Sequence, residues 1–306
     1  MLRQGLRLFF TTVWPKIPRH AAIMRRATQR FTAGEQADDA LKIAAALNQE
    51  GFFCDINYIG DHSDQPDAIA RAYETYAHLI RTIAKAKLKA GISVKLGQFG
   101  LLADSPDAAA REASFNLLIA TMAETFGVRL WIDREEICHT ARTNAIIKNI
   151  APRAKAGSVV QAYDRNALAL LDELGVRIPW RVCKGAYTES RATVFTHTRD
   201  IAETYRHLVS RIIASGGYAQ IATHDEKLVR TVLNDLRRWR RDFPKDRFEF
   251  GMLYGVNMKL ARALTREGYR VTIYLPFGED IEGYCIRRII EKPKYLLLPL
   301  RALFRA

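Results

Sequence analysis

The sequence is poor in cysteine, and its cysteines lie far apart. The four of them, Cys54, Cys138, Cys183 and Cys285, include no C-x-x-C pair among 306 residues. Zinc sites and redox motifs need closely spaced ligands, and small disulfide frameworks need denser cysteines. We therefore expect free thiols, no disulfide framework and no metal site.

Phosphate-binding loops and membrane spans are missing as well. No G-x-G-x-x-G and no Walker-type loop occurs, which argues against a doubly wound dinucleotide-binding sheet. No apolar run approaches the roughly 20 residues that cross a bilayer. The N-terminal apolar stretch is short and has no small-residue cleavage site for secretion. These absences predict an intracellular protein.

Both ends of the chain lack acidic residues. The formal net charge is +14, and eleven of these charges lie in residues 1–34 and 292–306, so the middle carries only +3. The same ends contain apolar residues such as Phe9, Phe10 and Trp14. This mixture is typical of interfacial segments and predicts peripheral contact with an anionic membrane, although ordinary terminal helices are an alternative. The weakly charged middle argues against a nucleic-acid partner.

Strand-like and helical segments alternate eight times after an N-terminal basic and helical segment, residues 1–50. The β-type runs cover 51–59, 92–97, 127–133, 158–163, 178–184, 218–223, 248–254 and 269–275, and the helical stretches include 35–50, 68–88, 108–125, 166–174, 201–213, 227–239 and 259–266. Such alternation predicts a parallel sheet closed into a (βα)8 TIM-type barrel. Residues 51–306 would form this barrel and a C-terminal helix.

Polar residues lie at the ends of the predicted strands. They are Asp55, Lys95, Asp133, Gln161, Tyr163, Arg181, Lys184, Thr223, His224, Tyr254 and Tyr274. Active sites of this fold lie at the carboxyl ends of the strands. Lys95 or Lys184 could form a Schiff base or bind an anion, and Asp133 could be a base, an orienting partner or a helix cap. Several cations without a two-carboxylate pair favour anionic ligands over hydrolysis.

Two adjacent arginines, Arg287 and Arg288, follow the last strand near the start of a predicted helix. Guanidinium groups bind carboxylates with paired N–H bonds. Gly278 allows a turn that would place a ligand at the N-terminal end of this helix. The pair therefore predicts a carboxylate clamp. The alternative is that both arginines lie on the surface, where Arg287 forms an ion pair with Glu291 four residues later on the helix.

Several short sequence motifs, taken together and in their order along the chain, resemble those of the proline dehydrogenase family from about residue 30 onward. They are Arg30–Glu35, Ile92–Leu96, Trp131–Asp133, Val159–Tyr163, Arg181–Tyr187, Ala222–His224, Phe248–Gly255, Tyr274–Gly278 and Tyr284–Glu291. The resemblance implies a distorted (βα)8 barrel that holds FAD. It further implies proline catabolism, in which a hydride passes from proline C5 to the flavin and yields Δ1-pyrroline-5-carboxylate. Electrons would then pass to a membrane quinone, and the short form has no aldehyde dehydrogenase half.

The resemblance also implies roles for individual residues. Asp133 and Arg181 are the implied catalytic residues, with Arg181 facing the flavin N5. The implied proline-binding residues are Lys95, Leu253, Tyr274, Tyr284, Arg287 and Arg288. The implied flavin-binding residues are Arg134, Gln161, Arg181, Lys184, Gly185, Ala186, Thr223 and His224.

Two departures from the family pattern bear on the site. Asp61 stands where the family usually has Glu, and Gly251 replaces a common Gln, which could enlarge the flavin-side cavity. Tyr274 is retained, and its bulk favours proline over 4-hydroxyproline. A dehydrogenase for hydroxyproline or another cyclic imino acid, a Schiff-base lyase barrel and a basic nucleic-acid-binding module are the alternatives.

Overall fold

Eight parallel strands form a closed barrel in which every strand pairs with its neighbours in chain order and β8 closes on β1. The computed structural model describes residues 5–6, 8–20, 29–60, 63–103, 105–151, 156–239, 245–283, 286 and 290. The strands are β1 Phe53–Tyr58, β2 Ala90–Val94, β3 Arg129–Ile132, β4 Ala156–Gln161, β5 Trp180–Cys183, β6 Ala219–Ala222, β7 Phe248–Leu253 and β8 Val271–Phe277. The predicted (βα)8 barrel is confirmed.

Amphipathic helices cover the outside of the barrel. In the described ranges they are α1 Ala37–Gln49, α2 Pro66–Lys85, α3 Ala108–Phe115, α4 Thr121–Thr125, α5 Thr140–Ile150, α6 Ala167–Leu174, α7 Thr198–Ala214, α8 Glu226–Trp239 and α9 Met258–Arg266. In α2, Pro66 opens the first turn, and Tyr76, Leu79, Ile80 and Ile83 share the buried face. This 3–4 spacing is the pattern that packs a helix against strands.

Two helical segments differ from the predictions. The predicted stretch 108–125 is divided by a π-helical turn, Asn116–Ala120, between α3 and α4. Helix α5 was not among the predicted helical stretches. Its threonines and asparagines have weak helix propensity, so the sequence pattern of the buried face formed by Ile146, Ile147 and Ile150 was missed.

The inside of the barrel is charged. Barrel interiors are usually filled by Val, Ile and Leu, whereas Asp55, Arg129 and Glu249 lie inside this one and contact one another. Gly157 leaves space for Trp131, since a Cβ at this glycine would lie 2.5 Å from the indole ring. The interior is therefore packed in part by the Trp131 ring and in part by hydrogen-bonded ions.

The N-terminal segment packs beside the segment that follows β8. It forms a π-helical turn, Phe9–Val13, and a 3-10 turn, Trp14–Lys16. Phe10 is buried with Trp14 against Ile286 and Ile290. Trp14 Nε1 donates to Glu282 Oε1 over 2.6 Å. Across the described ranges, no helix combines the length and apolar character that a bilayer crossing requires.

Candidate functional site

Arg181 is the centre of the site. It lies in β5, points into the barrel and is 4% exposed. Its Nη1 donates to Asp133 Oδ1 over 2.6 Å and to Ser93 Oγ over 2.8 Å. Its Nη2 donates to Asp55 Oδ2 over 2.9 Å, and its Nε donates to Gln220 Oε1. Four neighbouring side chains thus hold one guanidinium.

Aromatic rings complete the surroundings of Arg181. Its guanidinium carbon lies 4.6 Å from the centre of the Trp131 ring and 5.2 Å from that of Tyr274. The Tyr274 hydroxyl donates to Asp133 Oδ2 over 2.8 Å. Burial by itself would lower the pKa of Arg181, but Asp133 and Asp55 outweigh it and raise that pKa. Arg181 is therefore a permanent cation in a fixed orientation.

A second arginine forms the floor below Arg181. Arg129 donates to Glu249 Oε1 over 2.7 Å and to Asp55 Oδ1 over 2.9 Å. Thr272 Oγ1 donates to Glu249 Oε2 over 2.9 Å. Opposing charges in this arrangement compensate each other away from water, which is the condition under which buried ions are tolerated.

Most of the residues that lie below Arg181 were not identified from the sequence. Asp55 was predicted to lie at the end of a strand, whereas the structure places it inside the barrel; Arg129, Gln220 and Glu249 were not predicted at all. One signal was available. Glu249 stands between two phenylalanines in a strand buried on both faces, and an acid in such a place needs a buried partner.

Arg134 is the strongest candidate for an anion-binding residue at the opening of the barrel. It follows β3, is 7% exposed, and its nearest polar contacts are the Val159 carbonyl oxygen and Asn144 Oδ1. Its Nη1 is buried and has no hydrogen-bond partner within the described residues. Burial lowers the pKa of Arg134 to about 10, so it remains charged at neutral pH. A buried cation with an unused donor fits a phosphate oxygen.

The other predicted flavin positions surround the same opening. Gln161 donates to the Glu135 carbonyl oxygen over 3.3 Å and accepts from the Ala186 amide over 3.2 Å. Lys184 forms an ion pair of 2.6 Å with Asp225. Gly185 has a φ of +109°, and a Cβ there would lie 2.3 Å from the Tyr163 ring. Only glycine fits this position without strain.

His224 and Thr223 follow β6. The Leu253 amide donates to His224 Nε2 over 2.8 Å, which joins the ends of β6 and β7. Thr223 Oγ1 accepts from the Asp225 amide over 3.2 Å. Leu253 closes β7 at the same end of the barrel, and Lys95 follows β2 there.

The structure brings twelve of the predicted site residues to one end of the barrel or just inside it, with Arg181, Asp133 and Tyr274 in direct contact. The described residues do not include Tyr284, Arg287, Arg288 or Asp61, the last of which departs from the family pattern. Gly251 does not open the barrel interior in this structure. A Cβ there would lie 3.1 Å from Gln220, so the Gln220 side chain fills the volume next to it.

His224 predicts a pH dependence of stability. Burial lowers its pKa to about 4, while an unfolded histidine titrates near 6.5. The unfolded state therefore binds more protons between these values, and the stabilising contribution is complete above pH 6.5 and lost as pH falls towards 4. The full difference is about 3 kcal/mol.

Urea unfolding of wild type and His224→Asn at pH 7 and pH 4.5 measures this contribution. Asparagine has an oxygen that can accept a hydrogen bond and does not titrate, so the gap between the two proteins should change with pH. Parallel losses of stability would contradict the pKa assigned to His224.

These features define a class: an α/β barrel with a fixed guanidinium at the carboxyl ends of its strands, where active sites of this fold lie. Comparison with known proteins identifies the family. The proline dehydrogenase family model matches residues 40–293, and the chain belongs to this family of oxidoreductases.

Individual relatives agree with this assignment. The chain is 30% identical over 284 residues to proline dehydrogenase 1 of Bacillus subtilis, covering 92% of each chain. It is 31% identical over 279 residues to the proline dehydrogenase of Deinococcus radiodurans, covering 89% of this chain and 88% of the relative. Proline utilization A from Bdellovibrio bacteriovorus superposes with a TM-score of 0.78 at 19% identity. That match covers 96% of this chain and 37% of the other, and shows a common fold.

Proposed function

We propose that this protein is an FAD-dependent proline dehydrogenase that oxidises L-proline to Δ1-pyrroline-5-carboxylate in proline catabolism. The observation that carries the proposal is the Arg181 guanidinium, held inside the barrel opening by Asp133 and Asp55. A fixed cation at this place stabilises negative charge that develops during hydride transfer. The family membership, through relatives named for this activity, supports the substrate.

The residues present fit FAD. Bound there, it would supply a two-electron acceptor for the hydride on proline C5. Arg134, with its unused buried donor, would bind a phosphate oxygen, and Lys184, Gly185 and Ala186 would line the same side of the opening. Gln161, Thr223 and His224 hold the neighbouring loops through backbone bonds. Asp133 orients Arg181 and Tyr274 by accepting a hydrogen bond from each.

Proline also needs a partner for its carboxylate. We assign this role to Arg287 and Arg288 with Lys95, since charge-assisted bonds to a shielded carboxylate contribute roughly 1.5–3 kcal/mol each. Leu253, Tyr274 and Tyr284 would enclose the ring. The ring nitrogen would lose a proton to water, and its electron pair would form the C=N bond of the product as the hydride leaves C5.

An absorption spectrum tests the proposal. Purified protein, reconstituted with FAD if needed, is expected to be yellow and to bleach anaerobically with L-proline. Comparison of kcat/KM for L-proline and 4-hydroxyproline would separate the main proposal from the cyclic-analogue alternative, because Tyr274 crowds a ring hydroxyl. A protein that does not bind FAD, or bound FAD that proline leaves oxidised, would overturn the proposal. Trapping of a substrate carbonyl by borohydride would instead favour the Schiff-base lyase.

Replacement of one clamp arginine should affect proline binding far more than flavin binding. We expect Arg288→Met to raise the KM for proline by about 100-fold, which corresponds to the loss of about one strong charge-assisted bond. The flavin spectrum should be unchanged. Arg266→Met, which removes an exposed arginine at the end of α9, is the matched control. An unchanged KM in Arg288→Met would refute the clamp.

We further propose that electrons pass to a membrane quinone and that the N-terminal segment touches the inner face of the cytoplasmic membrane. Leu8, Phe9 and Val13 are 64%, 37% and 48% exposed on the N-terminal turns, near the basic residues Lys16 and Arg19. Exposed apolar groups beside positive charge suit an anionic bilayer surface.

Co-sedimentation with anionic vesicles tests this contact. We expect Leu8→Ser/Val13→Ser to reduce sedimentation at low salt, because the variant loses apolar area that would enter the interface. Leu117→Ser/Leu118→Ser removes exposed apolar area elsewhere and is the control. Equal sedimentation of all three proteins would contradict the assigned surface.

A further inference from the structure

We infer that Gln220 and Asp55 are positioning residues that fix the Arg181 guanidinium against the flavin, and that Asp55 also sets the flavin reduction potential. The inference rests on the proposed function. It adds two residues, deep in the barrel and away from its opening, to the set that controls the reaction.

Gln220 has only one orientation that satisfies its neighbours. It lies in β6, in register with Arg181 of β5 on one side and Glu249 of β7 on the other. Arginine can only donate hydrogen bonds and ionised carboxylates can only accept them. The amide oxygen must therefore face Arg181 Nε, and the amide nitrogen donates to Asp55 Oδ2 over 2.9 Å and to Glu249 Oε1 over 2.6 Å.

Asp55 joins the two arginines. Its Oδ1 accepts from Arg129 and its Oδ2 accepts from Arg181, each over 2.9 Å, and the residue is 1% exposed. Burial by itself would raise the pKa of Asp55, but the two guanidiniums outweigh it and lower that pKa. Asp55 is thus a fixed negative charge directly below Arg181.

These contacts leave Arg181 little freedom. A guanidinium has five N–H donors. Four of them bind Gln220, Ser93, Asp133 and Asp55, and the fifth, on Nη2, has no partner in the described part of the chain. Rotation of the side chain would break several buried bonds at once. A donor held in place before the reaction stabilises developing charge without reorganisation.

The positive and negative charges of this hydrogen-bonded network do not cancel. Asp55, Asp133 and Glu249 contribute three negative charges, whereas Arg129 and Arg181 contribute two positive ones. The network therefore carries −1 when all its members are ionised. A nearby negative charge opposes the gain of negative charge by a flavin, so neutralising Asp55 should shift the midpoint potential in the positive direction.

Three variants separate positioning from simple structural support. Asp55→Asn removes one charge and keeps the shape. Gln220→Met keeps volume and net charge but removes every hydrogen bond of the amide. Thr272→Val is the control, since Thr272 bonds to Glu249 and Arg129 in the same network, while the side-chain hydrogen bonds of Arg181 go to other residues. Each protein, loaded with FAD, is measured for thermal stability, kcat and KM with proline, and midpoint potential in a dithionite titration.

We expect Gln220→Met and Asp55→Asn to lower kcat about 10- to 100-fold with little change in KM, because the lost stabilisation belongs to the transition state. Asp55→Asn should also raise the midpoint potential. Thr272→Val should lose stability only. If Asp55→Asn does not fold, kcat of Gln220→Met decides the positioning role, and Asp55→Glu, which moves the charge, decides the potential.

Folded, flavin-loaded variants with wild-type kcat and potential would overturn the inference, as would equal changes in Thr272→Val. The proposed function fails in a different way. Wild-type protein whose flavin is not reduced by proline would refute that function, while the dithionite titrations of wild type and Asp55→Asn would still decide whether Asp55 sets the potential.

Discussion

Arg181→Met is expected to slow the reduction of bound flavin by L-proline by 100-fold or more, the loss of about one preorganised donor to a developing negative charge. The midpoint potential should move in the negative direction, since a cation beside the flavin is lost. Arg181 bonds to both Asp55 and Asp133, so the variant also removes one partner from each carboxylate, leaving Asp55 with Arg129 and Asp133 with the Tyr274 hydroxyl. Anaerobic stopped-flow absorbance with proline measures the rate.

Arg181→Lys is the matched control for charge. Lysine keeps the cation but has no planar fork, and therefore cannot bond to Asp55, Asp133 and Gln220 together. We expect it to restore most of the potential and little of the rate. A rate near wild type in folded Arg181→Met would show that the guanidinium does not act on the flavin.

Arg129→Met is expected to destabilise the protein by about 3–5 kcal/mol, the usual cost of removing one partner from a buried ion pair. Arg129 bonds to Asp55 and Glu249, which are both fully buried. Methionine fills a similar volume, so the loss is electrostatic rather than a cavity. The free energy of unfolding in urea measures the effect.

The double variant Arg129→Met/Glu249→Gln provides the control. It removes one of the two carboxylates that Arg129 compensates, and should recover part of the lost stability because fewer charges remain unpaired. Additive losses in the double variant would contradict an ion pair between Arg129 and Glu249.

Much of the architecture could be predicted because strand and helix periods are local properties. The eight strands were predicted at nearly their observed positions, and α2 and α8 followed from apolar residues at 3–4 spacing. The stretch 108–125 was predicted less well, since a π-helical turn inserts one extra residue into a helical pattern and leaves the composition unchanged.

The site was predicted in part. Residues at the strand ends were found because a parallel barrel brings all its carboxyl ends to one side, whatever the loops contain. Arg134 came from the family resemblance alone, Lys184 and His224 also from their places at predicted strand ends, and the contacts of all three came from the structure. Asp55 was noticed as a polar residue, but its partners are 74 and 126 positions away.

The sequence by itself thus predicts the barrel, the end at which its site lies and the family to which the chain belongs. Each of these depends on residue spacing within short segments. Which charges meet inside the barrel is decided only when it closes. Closure gives every strand its register, and the register places Gln220 between Arg181 and Glu249 and sets Asp55 between two arginines. A buried charge is stable only beside its partner, and distance in space is a property of the closed sheet.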